Sequence, residues 1–240
     1  MIIIQCLGAV SFSVSGAIVA MGKKMDGFGV IVMSVLTVFG GGVIRDIIIG
    51  KNPPALFVDS ECKLYLIIAV VTSLICMFLS DFRPTAKYLL RHSGGFIFNL
   101  ADALGVSIFC VVGVNSAMNM GYTDAFLLTF VGGITGIGGG MLRDICAAEV
   151  PMVFRKHIYA LPTIFGSLMY VFLLRIPYLP QICPILITIV AITVVRILAA
   201  KYKWNLPVIY KDIHTMSEFR KEKTEEEKKL PIQPDGKDRV

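Results

Sequence analysis

Two heptapeptides, GGGVIRD at Gly40 to Asp46 and GGGMLRD at Gly138 to Asp144, hold the residues best able to do chemistry in this chain. Both lie inside strongly apolar stretches. Three consecutive glycines favour a bend or an unwound turn, since each costs about 0.5–1 kcal/mol against alanine within a helix. An unwound turn frees carbonyls and amides, which hydrocarbon cannot satisfy, so it must be buried in protein or line a wet cavity. Freed carbonyls can coordinate cations, and amides opening the next half-helix can meet anions. Gly40, Gly41, Gly42, Gly138, Gly139 and Gly140 therefore admit a ligand of either sign.

The charged residues narrow the chemistry. Arg45 and Arg143 each cost about 2.5–3.5 kcal/mol inside a span even on the lenient insertion scale, so they must face the bundle interior or water and find a partner. Asp46 and Asp144 supply carboxylates next door, although adjacent helical side chains diverge, and pairing across the repeat is the alternative. A purely structural Arg–Asp clamp competes with a role in a path for cargo. Asp102 and Asn99 add a polar face to the fourth apolar stretch, and Gln5 stands where a repeat would match Asp102. No nucleophile–base pair or metal-ligand spacing emerges, so the sequence predicts no enzyme and no cofactor. The six cysteines have no C-x-x-C spacing and read as ordinary buried thiols; three histidines are scattered.

These residues need elements to hold them, and composition says which. The chain is 55% hydrophobic and 17% charged, with a mean hydropathy of +0.74, which places it in a bilayer. Of 23 basic and 17 acidic residues, ten and eight fall between Lys201 and Val240. The body is thus the membrane domain, residues 1–200, and 201–240 form a charged cytoplasmic tail expected to be disordered. A spanning helix needs about 20 apolar residues. Seven spans are predicted: Ile2–Met21, Gly27–Gly50, Lys63–Ser80, Phe96–Met118, Ala125–Cys146, His157–Leu174 and Gln181–Ala199. The first lacks the positive flank and cleavage site of a secretory signal and reads as a retained helix. Lys23 and Lys24, Arg83, Lys87 and Arg91, Arg155 and Lys156, and the tail all fall on one side, so the positive-inside bias puts the N-terminus outside and the C-terminus in the cytoplasm. RPTAKYLLRH, at 83–92, reads equally as a surface-lying helix or a plain loop.

An internal repeat ties the motifs together. An offset of 98 carries Asp26 to Asp124, Arg45 to Arg143, Asp46 to Asp144 and Pro53 to Pro151, and an offset of 97 carries Gly8, Phe12 and Gly16 to Gly105, Phe109 and Gly113. Each copy, about 2–80 and 96–174, holds three spans. An odd number inverts the second copy in the membrane and brings the two helix breaks together near mid-depth. The expected fold is all-α: two inverted three-helix repeats plus a seventh helix at 181–199, with spans two and five kinked at the glycines. Gly132, Gly136 and Gly140 also form a small-x-x-x-small ladder suited to close helix packing.

The paired GGG-x-x-RD motifs, the proline after each, the D-x-x-G at Asp102 to Gly105 and the seven-span layout resemble the prokaryotic members of the trimeric intracellular cation channel family, also described by a glycine-transporter domain. The resemblance covers residues 5 to 200 or so. It implies a homotrimer in lipid, one pore per subunit, kinks at the six glycines, and passage of potassium and other monovalent cations, with Arg45, Asp46, Arg143 and Asp144 beside the kinks. Gln5, where the pattern calls for an acid, and the long tail depart from it. Two functions stand open: a plasma-membrane cation channel, or a secondary transporter holding glycine or another small amino acid between the arginines and Asp102. Nothing points to nucleic acid.

Overall fold

The computed structural model describes residues 1–82, 95–155, 159–180, 182–202 and 204. Nine helices lie among the described residues: α1 (Ile2–Gly22), α2 (Gly27–Ile48), α3 (Ala55–Val58), α4 (Ser60–Phe82), α5 (Phe96–Asn119), α6 (Ala125–Cys146), α7 (Met152–Arg155), α8 (Ala160–Leu173) and α9 (Ile182–Tyr202). No strand occurs among them. Six are long and apolar enough to cross a bilayer, and α8 is a shorter apolar helix. The predicted sixth span begins at residues 157 and 158, outside the described residues, as do RPTAKYLLRH and nearly all of the tail. Helix α9 runs past its predicted end at Ala199 to Tyr202.

The repeat is visible bond by bond. Asp26 caps α2 by accepting from the Gly29 amide at 2.7 Å, and Asp124 caps α6 by accepting from the Leu127 amide at 2.8 Å, each satisfying one of the amides that a helix start leaves free. Helices α2 and α6 end alike: the amides of Lys51 and Glu149 reach back to the carbonyls of Asp46 and Asp144, at 2.8 and 2.9 Å. The chain turns there through a left-handed residue, Gly50 (φ +73°) in the first copy and Ala148 (φ +53°) in the second, the usual way of closing a helix. Short helices α3 and α7 follow at matching places.

Helices α1, α2, α5 and α6 pack together at the centre; α4 lies against α1 and α2, α8 against α5 and α6, and α9 against α5 and α8. Large apolar side chains such as Phe28, Ile67, Phe126 and Ile187 point outward, as they must where the solvent is hydrocarbon. The buried-thiol reading holds for Cys76 and Cys110, whereas Cys146 is exposed; all six cysteines are free.

The triglycines depart from the unwound turns expected of them. Both α2 and α6 run as unbroken α-helix through Gly40–Gly42 and Gly138–Gly140, keeping their amides and carbonyls paired along the helix, the cheapest arrangement in an apolar surround. The glycines serve instead as the surface on which the helices cross. A Cβ on Gly41 would fall on the Thr135 carbonyl, and one on Gly139 would fall on the Thr37 carbonyl; a Cβ on Gly138 would sit 3.1 Å from the Gly41 Cα. Backbone meets backbone, which only glycine allows. Thr37 and Thr135 keep clear of the crossing by donating their hydroxyls to Met33 and Val131 of their own helices, at 2.7 and 2.6 Å. The glycine ladder on α6 packs as expected, with Gly132 and Gly136 against the carbonyls of Cys110 and Val106 on α5.

A methyl group at the crossing has nowhere to go. Gly139→Ala is expected to destabilise the bundle by about 1–3 kcal/mol through overpacking, whereas Gly133→Ala on the same helix, whose Cβ would meet only Ile164 at 3.7 Å, is expected to be neutral or to gain up to about 1 kcal/mol in helix propensity. Thermal unfolding of the two variants in detergent checks the pair; equal midpoints would contradict the crossing as the reason for the glycines.

Candidate functional site

Beyond the crossing, each triglycine's third member faces away from the opposite helix and toward one end of the bundle. Gly42 looks toward Arg45, whose Nη2 lies 3.8 Å from where its Cβ would stand. Gly140 looks toward Tyr159 Oη at 3.1 Å, Arg143 Nη2 at 3.6 Å and Asp102 Oδ1 at 3.7 Å. These are the same place in the two copies, and they are furnished differently.

The shared part is an Arg–Asp clamp. Arg45 donates Nε to Asp46 Oδ1 at 2.8 Å, with Nη2 at 2.7 Å from the same oxygen. Arg143 does likewise to Asp144, at 2.9 and 2.8 Å. The other carboxylate oxygen of each aspartate accepts from a backbone amide, that of Ala55 at 2.7 Å or Met152 at 2.9 Å. Each aspartate therefore joins the arginine one residue before it to the short helix that follows. The long guanidinium stem bends back far enough to reach its neighbour, so divergence of adjacent Cβ atoms does not prevent the pair. Between the two halves, Arg45 and Arg143 lie at opposite ends of the bundle and do not meet.

Only the second copy builds further. Asp102 on α5 accepts from Arg143 Nη1 at 2.6 Å and Arg196 Nη2 at 2.5 Å. Tyr159 Oη donates to the same carboxylate at 2.8 Å, and the Ser15 hydroxyl lies within 3.4 Å of it. Ser15 itself accepts from Arg143. The Arg196 guanidinium stacks 3.9 Å over the Tyr159 ring, and Arg143 lies 5.0 Å over that of Phe98, arrangements that aid a desolvated cation. Two arginines and two aspartates, all buried, leave the cluster without net charge, the condition under which ions survive away from water.

At the mirror position the first copy has Gln5 for Asp102, and Tyr65 donates to its side-chain oxygen, as Tyr159 does to the acid. Glu61 lies 3.3 Å from the same hydroxyl. No second arginine arrives there among the described residues. What lies there is space: a cavity of about 60 Å³ walled by Gly42, Arg45, Asp46, Cys62 and Tyr65 among others. One water needs about 10–15 Å³ on this measure. A larger vestibule of about 330 Å³ shares Arg45, Ala55 and Cys62 with it and is lined also by Gln5, Glu61 and Asn115. At its edge Lys51 pairs with Asp59 at 2.8 Å.

Of the residues singled out in the sequence, the six glycines come together at the crossing or just beside it; Asp102, Arg143 and Asp144 meet at one end; Arg45 and Asp46 meet at the other. Ser15, Tyr159 and Arg196 were not foreseen. Arg196, a lone arginine in an otherwise apolar run, carried the same signal of cost as Arg45.

The family model described as "Glycine transporter" matches residues 2–81 and 99–175. The UPF0126 inner membrane protein YadS of Escherichia coli (strain K12) is 31% identical over 210 residues, 87% of this chain and 96% of that protein. Among solved structures, one reported as the structural basis for conductance through TRIC cation channels superposes with a TM-score of 0.73 at 32% identity, covering 89% of this chain and 98% of the other. The TRIC trimeric intracellular cation channel orthologue from Rhodobacter sphaeroides gives 0.73 at 25% identity, covering 84% and 97%.

Asp102 holds the unmirrored cluster together. Asp102→Asn leaves Arg143 and Arg196 buried without their shared carboxylate and is expected to cost about 3–5 kcal/mol. Chemical or thermal unfolding of the purified protein checks this, and an unchanged midpoint would contradict the cluster as drawn.

Proposed function

Because the chain belongs to the TRIC cation channel family, the membrane-protein family described by the glycine-transporter model, we propose that it is a channel for monovalent cations, potassium among them. One pore runs through each subunit of a homotrimer. The observation that carries this reading is the vestibule and cavity leading from one end of the bundle to Gly42, Arg45 and Asp46. This is a way into the middle of a protein whose outer faces are hydrocarbon-seeking. Gln5, Glu61, Asn115, Ser116 and Asn119 line the entrance together with Arg45, Lys51 and Asp59, and they bring oxygen-bearing side chains to it. Oxygen ligands of this kind replace the water that a cation sheds.

Gly42 lines this cavity, and Gly40, Gly41, Gly138, Gly139 and, at its edge, Gly140 form the crossing beside it, the narrowest region and the one whose helices must shift when the path opens. Arg45, Asp46, Arg143, Asp144 and Asp102 are its fixed charges. The protein sits in the bacterial inner membrane with the N-terminus outside, by the bias of its basic loops, which puts the vestibule outside and the Asp102 cluster at the cytoplasmic end. Carriage of glycine is less well supported. A substrate carboxylate would need a guanidinium to hold, yet Arg143 already gives its nitrogens to Asp144, Asp102 and Ser15, and Arg45 is held by Asp46.

Reconstitution of the full-length protein into liposomes tests the proposal. A potassium gradient is expected to drive an ionic current that does not saturate in the manner of a carrier. Saturable uptake of labelled glycine with no current would overturn the channel in favour of the transporter.

A further inference from the structure

The repeat allows one chain to be compared with itself. Beside Gly42 there is a cavity; beside Gly140 the corresponding place is filled by Asp102, Tyr159 and the guanidinium of Arg196. Arg196 comes from α9, the helix outside the repeat, so its side chain has no counterpart in the first copy. We infer that Arg196 is a tethered cation seated on Asp102 where a permeant cation would otherwise bind, and that α9 is the element that closes this end of the path. The inference rests on the channel reading and adds to it a binding carboxylate and the residue that occupies it.

Charge supports the assignment. The cluster is neutral only because Arg196 balances the second of its two aspartates. Withdrawing that guanidinium leaves one negative charge uncompensated in a buried site, a condition that a mobile cation relieves. The two arginines are also held unequally. Arg143 uses Nε, Nη1 and Nη2 on three partner residues. Arg196 places only Nη2 on the carboxylate, and its buried Nη1 finds no hydrogen-bond partner. Of the two, Arg196 is the one whose departure breaks least. Its seat is set by two contacts within a turn: Thr193 meets Ser107 of α5 at 3.0 Å, and Ile192 nests where Gly166 of α8 leaves room. Tyr159 stays behind as a second oxygen on Asp102, able to help hold the incoming ion.

The test uses the full chain in liposomes, with potassium as the probe. Arg196→Gln, which keeps hydrogen-bonding capacity and removes the charge, is expected to raise potassium flux about tenfold or more over the wild type, the effect of losing one charge-assisted contact on a closed population. Arg196→Lys, which keeps a cation in the seat, is expected to stay near the wild-type flux. Adding Asp102→Asn to Arg196→Gln is expected to lower the raised flux again without lowering the unfolding midpoint below that of Arg196→Gln, because the binding carboxylate is gone while Arg143 stays balanced by Asp144. Should Arg196→Gln fail to fold, Ser107→Cys with Thr193→Cys fixes α9 to α5: oxidation is expected to suppress flux and reductant to restore it, with no such response in the wild type. Wild-type conduction left unchanged by Arg196→Gln, by the second substitution in that background, or by oxidation of the cysteine pair overturns the inference and leaves the channel standing. Absence of current from every variant alongside saturable glycine uptake overturns the channel reading itself.

Discussion

The rest of the molecule depends on two helices touching backbone to backbone inside a membrane. Gly41 of α2 lies on the Thr135 carbonyl of α6, and Gly139 of α6 lies on the Thr37 carbonyl of α2. A contact this close draws on dispersion and fit, since hydrocarbon offers no hydrophobic drive to bring helices together. It also fixes everything around it. Once the two helices cross here, their C-terminal halves diverge toward opposite ends, each delivering an Arg–Asp clamp, and the neighbouring glycines Gly16 and Gly113 let α1 and α5 close in on Thr37 and Thr135 in the same mirrored way.

The second constraint is that charge inside a bilayer must be matched. Symmetric clamps satisfy it for Arg45 and Arg143 within their own helices. The departures from symmetry that bear on this balance are Gln5 against Asp102 and one extra helix. An added acid in the second copy needs an added cation, and α9 brings Arg196 to it. At the other end the neutral Gln5 needs none, and water-sized space is left beside Arg45. The exchange of acid for amide and the helix outside the repeat together account for a bundle whose ends are related by a pseudo-two-fold axis but differ in being filled or open.

Much of this was legible before the fold was seen. The offset of 98 pairs Asp26 with Asp124, Arg45 with Arg143 and Asp46 with Asp144, because their local chemistry is copied with its spacing intact; that these are caps and clamps, and that the glycines between them form a crossing, comes from the fold. The third and sixth spans drift: Tyr65 and Tyr159 correspond at an offset of 94, which no motif marks, so the sequence carries no signal for the tyrosine hydroxyls beside Gln5 and Asp102. Arg196 had no counterpart to flag it. A glycine run weakens an isolated helix and so reads in the sequence as a break; in the fold the helix survives, held by a neighbour pressed against the very surface that the missing side chains vacate.

The central claim is that the two copies place equivalent residues in an open end and a filled end. Val112, which lines the vestibule, and Ser15, which Arg143 holds in the cluster, are equivalent at the offset of 97. Each can be changed to cysteine in a background whose six native cysteines are replaced, and modified in detergent with a charged, membrane-impermeant thiol reagent. The account predicts rapid modification of Val112→Cys and protection of Ser15→Cys. Equal rates at the two positions would contradict it.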